Sequence, residues 1–227
     1  MGALGALGVA TLTGCSSASA DPSRTRRAAA APACTLIAEQ EEGPFYVHLA
    51  AIRSDITEGK PGIPLKLRLT IVDSTTCEPI PNAAVDIWHC DASGVYSGVA
   101  SEKTTYLRGV QVTDARGVAQ FGTIVPGAYQ GRATHIHLKV HVAGSVHGAA
   151  YSGGHVSHTG QLFFPGATLE RVAAVAPYSS NTARMANELD HIWLHQGGRA
   201  ATLTTVSNSA SSVASGLTAA LTLGIAG

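Results

Sequence analysis

The chain has 227 residues, 45% hydrophobic and 13% charged, with 15 basic and 15 acidic side chains and no formal net charge. No basic surplus exists to track a phosphate backbone, so nucleic acid is not an expected partner. The length suits one domain with a real core plus a tail, and 25 glycines and 10 prolines without long charged helical stretches suit strands joined by turns.

The first segment, "MGALGALGVATLTGC", is apolar but shorter than the roughly 20 residues a membrane-spanning helix needs. It reads as an export signal, although no Lys or Arg precedes the apolar run. "LTGC", Leu12 to Cys15, resembles a bacterial lipoprotein cleavage box. That implies a lipid anchor through Cys15 and a cell-surface or extracellular protein; cleavage after "SASA" is the second reading, and an Ala/Gly-rich leader the third. "SSASADPSRTRRAAAAPA" is a low-complexity tether. The expected organisation is therefore leader and tether over 1–33 and one domain over 34–227.

In "PLKLRLTIVD", 64–73, Leu65, Leu67, Leu69 and Ile71 share one face, while Lys66, Arg68 and Thr70 share the other. That is a half-buried strand with period two. "STTCEPIPN" is turn chemistry, "AAVDIWHC" (83–90) a second strand, and "DASG" another turn. "YLRGVQVTD" and "GVAQFGTIV" are strands joined by a hairpin-type turn at Asp114–Gly117. After the turn "PGAYQG" comes the strand "THIHLKVHV", 134–142, and a short one at "QLFFP". "GATLERVAAVAPY" predicts a helical turn or two, and "NTARMANELDHIW" a helix capped by Asn181. "ATLTTV" and "LTAALTLGI" form a closing strand pair around "SNSASSVASG". Short strands at this spacing predict an all-β fold, a β-sandwich or barrel, with few short helices. Cys34 and Cys77 both sit in loop-like sequence and are the expected disulfide pair of an exported protein. Cys90 ends a strand and reads as a buried thiol.

Within 134–142, Thr134, Ile136, Leu138, Val140 and Val142 form an apolar face, and His135, His137, Lys139 and His141 the opposite one. Same-face neighbours are two rises of about 3.3 Å apart, which lets two imidazoles reach one metal ion. A bare His-x-His is more often a pair of solvated histidines, so the neighbours decide. Tyr129 lies in the turn before this strand, and Tyr96 in "DASGVYSG" after the strand "VDIWHC". Two phenols and two imidazoles that converge suit a hard, highly charged cation. Phenol titrates near 10, and ferric iron holds it deprotonated better than zinc does.

These residues carry a resemblance. "EEGPFYV" (41–47), "NAAVDIWHCDASGVYSG" (82–98), "YLRGVQVTDARG" (106–117), "PGAYQGRATHIHLKV" and "GGHVSHTGQLFF" (153–164) together resemble the intradiol ring-cleavage dioxygenases, the catechol and protocatechuate dioxygenase family, in its exported branch. The resemblance implies a prealbumin-like β-sandwich and a non-haem Fe(III) bound by Tyr96, Tyr129, His135 and His137. It implies that Tyr129 is the ligand that leaves when substrate binds, with His137 axial and Tyr96 and His135 equatorial. It further assigns Arg132 and Gln161 to the active site and Pro44, Phe45 and Tyr46 to the pocket border. The implied reaction cleaves a catechol-type ring with O2 between its two hydroxylated carbons and yields a cis,cis-muconate-type diacid. One departure is Ala128, where the exported relatives usually have Trp; it either widens the pocket mouth or repacks the loop.

His155 and His158 read as structural, and His141, His147, His191 and His195 as surface or loop residues. Asp86 and His89 have no serine in a nucleophile elbow beside them and read as packing residues. Two other functions stay open: a non-catalytic, transthyretin-like exported binding module, and a Zn or Cu enzyme built on His135 and His137. The second calls for a third histidine or a carboxylate. Oligomeric state is not legible.

Overall fold

The alternating run at 64–73 becomes β1 (Pro64–Asp73), with Leu65, Leu67, Leu69 and Ile71 buried and Lys66 and Arg68 exposed. The remaining elements are β2 (Ala84–Trp88), β3 (Arg108–Val112), β4 (Val118–Ile124), β5 (His135–His147), β6 (Ala150–Phe163), α1 (Gly166–Ala173), α2 (His191–His195), β7 (Thr204–Ser207) and β8 (Leu217–Ile225). This computed structural model describes residues 1–2, 34, 36–99 and 103–226. The chain divides into units Met1–Ala31 and Pro32–Gly227, and every described element lies in the second. Cys15 and the rest of the expected leader and tether beyond Gly2 lie outside the described residues.

The described strands form two four-stranded sheets, ordered β4-β1-β8-β7 and β3-β2-β5-β6. β1 runs parallel to β8, while the other named pairs are antiparallel. The fold is thus an all-β sandwich with few helices. Its core is filled by Leu65, Leu67 and Leu69 from β1, Val85 and Ile87 from β2, Ile136, Leu138 and Val140 from β5, and Ala219, Leu223 and Ile225 from β8. Truncating one such leucine to alanine costs about 2–5 kcal/mol.

The second sheet is covered on both faces at β2 and at the adjoining halves of β5 and β6. Residues 40–56 run across its outer face, tied by Gln40 N–H to Thr159 O (2.9 Å), Ile52 N–H to Ala149 O (2.8 Å), Arg53 N–H to Val110 O (3.0 Å) and Val110 N–H to Ala51 O (2.9 Å). That cover explains why β2 is buried at all five positions. It also turns the polar face of β5 into an interior, where His135 and His137 are only 2% and 1% exposed.

Two sequence expectations need correction. The short strand at "QLFFP" is the end of the 14-residue β6, which pairs with β5 as a long hairpin. Its Gly-, Ser- and His-rich first half lacks apolar alternation because residues 152–156 are exposed and held by backbone pairing alone. The helix expected from Asn181 does not start there. Asn181 Nδ2 instead donates to Ala128 O (2.8 Å) and Ala92 O (3.3 Å), and the helix that forms, α2, is capped by Asp190. Among the described cysteines, Cys34 and Cys77 form a disulfide with a Cα–Cα distance of 5.5 Å, and Cys90 is a buried thiol. Burial, with Asp91 beside it, pushes the Cys90 thiol up to about 12.

Candidate metal centre

Two turns and one strand meet on the outer face of the second sheet. The first turn follows β2. Its Asp91 carboxylate accepts from Ser93 N–H (2.9 Å) and Val95 N–H (3.0 Å) and pairs with Lys60 (2.9 Å), which sets the direction of Tyr96. The second turn, 126–132, carries Tyr129 and leads into β5. The turns touch backbone to backbone. A Cβ on Gly94 would lie 2.4 Å from Ala128 O, and one on Gly127 2.4 Å from Ala92 O, so only glycine lets them approach this closely. Asn181 staples both turns through the two bonds above.

The four predicted donors form a closed ring of side chains. Ring centroids are 5.6 Å apart from Tyr96 to Tyr129, 5.7 Å from Tyr129 to His135, 4.5 Å from His135 to His137 and 6.1 Å from His137 to Tyr96. His135 Nδ1–H donates to Ala133 O at 2.7 Å; because a carbonyl only accepts, the neutral ring presents a bare Nε2. That Nε2 lies 2.9 Å from His137 Nε2. Two nitrogens bound at right angles to one ion, each at about 2.1 Å, stand about 3.0 Å apart. Trp88 fixes His137 by stacking at 4.9 Å and 7°. Tyr96 Oη is buried and has no hydrogen-bond partner among the described residues. Burial, then the nearby Cys90 and Tyr129, raises the Tyr96 phenol well above its usual range; burial also raises Tyr129, against the pull of Arg132. Burial and then Arg132 lower His135 to about 3, and burial and then His135 lower His137 well below its usual range. Both imidazoles are therefore in the neutral, ligating form. An orphaned phenol and two facing imidazole nitrogens fit a cation bound by two Tyr and two His.

Beside this ring, Arg132 Nη1 donates to Tyr129 Oη (3.4 Å) and Nη2 to Gln161 Oε1 (2.5 Å). Gln161 stands opposite His137 in the β5–β6 register. Phe45 stacks on Tyr96 at 4.5 Å and meets Tyr129 edge-on at 5.8 Å. Tyr46 packs on Trp88 (4.9 Å) and turns its hydroxyl to Asp86 Oδ2 (3.1 Å), and Pro44 is exposed. Asp86 and His89 share no partner: His89 Nδ1–H donates to Cys90 O and its Nε2 accepts from Thr123 Oγ1, each at 2.8 Å. Ala128 is buried and lines a cleft of about 700 Å³ between residues 126–128, α1 and 181–188; none of the four donors, Arg132 or Gln161 lines it.

A family model described as "Dioxygenase" matches residues 41–192, a span that holds all four donors, Arg132 and Gln161. The chain belongs to the intradiol ring-cleavage dioxygenases. A solved structure, the intradiol ring-cleavage dioxygenase from Tetranychus urticae, is 34% identical, with a TM-score of 0.75 over 85% of this chain and 95% of that one. Hydroxyquinol 1,2-dioxygenase of Corynebacterium glutamicum is 31% identical over 90 residues, 38% of this chain and 30% of that protein. Catechol 1,2-dioxygenase of a Pseudomonas species is 34% identical over 94 residues, 39% of this chain and 31% of that protein. The matched segments thus span about a third of the length of these curated relatives. Membership makes this chain one of a family of oxidoreductases.

Among the described residues, no three His, Cys, Asp or Glu side chains gather as a metal site. Among those residues, no third imidazole or carboxylate joins His135 and His137, whereas a zinc site draws on one. The sequence reading missed Asp190. Its side chain is fully buried and accepts from Arg132 Nε (2.8 Å) and Ala133 N–H (2.8 Å) as well as from α2. Burial pushes this carboxyl up, but the bonds from Arg132 and Ala133 outweigh burial and hold it below the usual range. An Asp just before "HIW" is a readable cap signal; its tie to an arginine 58 positions away is not.

Proposed function

We propose that this protein is an Fe(III)-dependent intradiol dioxygenase. It cleaves a catecholic ring with O2 between the two hydroxylated carbons and releases a cis,cis-muconate-type diacid. The observation that carries the proposal is the closed ring of Tyr96, Tyr129, His135 and His137, with two imidazole nitrogens 2.9 Å apart and one buried phenol oxygen without a partner among the described residues. A ferric ion held by these four side chains supplies the Lewis acidity that keeps phenolates and a catecholate deprotonated and opens the ring to O2.

The protein's own groups divide the remaining work. Tyr129 Oη, which already receives a hydrogen bond from Arg132 Nη1, would be a phenolate when the ion is held and in that form would accept one proton from a substrate hydroxyl. Tyr96, stacked under Phe45, stays in place. The Arg132 guanidinium remains cationic at any working pH and stabilises negative charge on the bound ring. Gln161 Oε1 holds that guanidinium in register with His137, and Phe45 closes water out from above the two phenols. We further place the protein outside the cytoplasm, with a lipid on Cys15; the Cys34–Cys77 disulfide supports an oxidising compartment.

The test is spectroscopic and chemical. The purified protein is expected to contain one iron and to be reddish from phenolate-to-iron charge transfer, with a band that shifts on adding catechol. Oxygen uptake with catechol, protocatechuate and hydroxyquinol identifies the substrate. Tyr129→Phe and His135→Ala are expected to weaken both colour and turnover. A colourless protein that consumes no oxygen after iron loading refutes the proposal.

A further inference from the structure

The two ends of α2 reach the two side chains that face the substrate. At its start, Asp190 divides its oxygens. Oδ1 accepts from Ile192 N–H (2.9 Å) and Trp193 N–H (3.2 Å), capping the helix, and lies 3.3 Å from Arg132 Nη2. Oδ2 accepts from Arg132 Nε and Ala133 N–H, both at 2.8 Å. Just past the helix end, Gln196 and Glu41 exchange two bonds: Glu41 N–H to Gln196 Oε1 (3.1 Å) and Gln196 Nε2–H to Glu41 Oε1 (2.8 Å). Glu41 O accepts from Gln161 Nε2 at 2.9 Å, and Gln161 Oε1 accepts from Arg132 Nη2 at 2.5 Å. The path Arg132–Asp190–α2–Gln196–Glu41–Gln161 therefore closes on itself.

We propose that α2 is a brace that aims Arg132 at the substrate, with Asp190 as its positioning residue and the Gln196–Glu41 pair closing the ring. The inference rests on the dioxygenase reading above. An arginine side chain carries about 2 kcal/mol of rotamer entropy, and its fork has two edges. Asp190 and Gln161 occupy Nε and Nη2, which leaves Nη1, whose one partner among the described residues is Tyr129 Oη at 3.4 Å. The ring thus selects which N–H faces the reacting groups. The Gln196–Glu41 pair spans 155 positions and is solvent-accessible, so it reads as a surface contact until the ring is traced.

Asp190→Asn separates capping from positioning. An amide oxygen on the Oδ1 side keeps the cap, since Asn caps about as well as Asp, while the amide –NH2 on the other side faces the Arg132 Nε–H and repels it. In iron-loaded enzyme, the iron content and charge-transfer band are expected to match wild type and kcat to fall about 100-fold, the scale of a 1 Å misplacement. Gln196→Ala, remote from the donors, is expected to lower kcat in the same direction by less, with KM nearly unchanged. A second readout does not depend on turnover: in the gallium-loaded full chain, the Arg132 Nε–H is expected to exchange slowly with water by NMR, and faster in both variants. Wild-type kcat in Asp190→Asn with its iron band intact overturns the brace, as does unchanged Nε–H exchange in both variants. If wild type binds no iron and turns nothing over, the dioxygenase proposal fails instead. The exchange rates in the metal-free chain then decide the brace separately, faster exchange in both variants supporting it and unchanged exchange overturning it.

Discussion

Replacing Tyr96 by phenylalanine changes stability in opposite directions with and without metal. Tyr96 is 3% exposed, its ring is packed by Phe45 at 4.5 Å, and its Oη has no hydrogen-bond partner among the described residues. Phenylalanine keeps the ring and its contacts and removes only the oxygen. A buried unsatisfied hydroxyl costs about 1–3 kcal/mol, so the metal-free Tyr96→Phe protein is expected to be more stable than wild type by about 2 kcal/mol. At about 2–4 °C per kcal/mol for a chain of this size, its Tm rises by about 4–8 °C. With iron the sign reverses, because the variant has lost a phenolate donor and a ligand that binds only the folded state stabilises it in proportion to its affinity. The assay is thermal unfolding of both proteins after chelation and after iron loading, followed by circular dichroism. A metal-free Tyr96→Phe protein no more stable than metal-free wild type refutes the reasoning, since the hydroxyl then has a partner worth keeping.

Gly43 has φ +75°, and a Cβ there would meet His137 Cε1 at 3.2 Å. Gly43→Ala is expected to cost about 1–2 kcal/mol in backbone strain and to reduce bound iron per chain by elemental analysis; full iron content with an unshifted band counts against it. His89 is buried and neutral, lowered to about 4 by burial, so the unfolded chain binds the extra proton between pH 6.5 and 4. Stability is then expected to fall as pH drops through that window, by on the order of 3 kcal/mol from this residue; urea unfolding of wild type and His89→Gln at pH 7 and pH 4 should show a flatter dependence in the variant. The Cys34–Cys77 disulfide closes a loop of 43 residues, worth about 4 kcal/mol by chain entropy. Cys77→Ala is expected to lose close to that in urea titrations, and a loss below about 1 kcal/mol would contradict the loop-closure account.

The strand run 64–73 and the two faces of 134–142 were legible because alternation with period two is a local property that burial on one side imposes on the sequence itself. The His-x-His spacing follows from the same alternation, the glycine turns from their turn residues, and the order of the motifs was legible as a family resemblance. The long β5–β6 hairpin was not, because residues 152–156 are held by backbone bonds that leave no mark in side-chain type.

The sequence by itself determined the strand periodicity, the candidate donors Tyr96, Tyr129, His135 and His137, and the chemical class of ion that two phenols and two imidazoles suit. Only the tertiary structure decided that residues 40–56 bury the polar face of β5, that Gly94 and Gly127 let two donor-bearing turns touch, that Asn181 staples them rather than capping a helix, and that Asp190 holds Arg132. Each of those facts is a contact between residues 30 or more positions apart. Such a contact depends on where the whole sandwich brings the chain back together, and a single sequence carries no periodic signal for it.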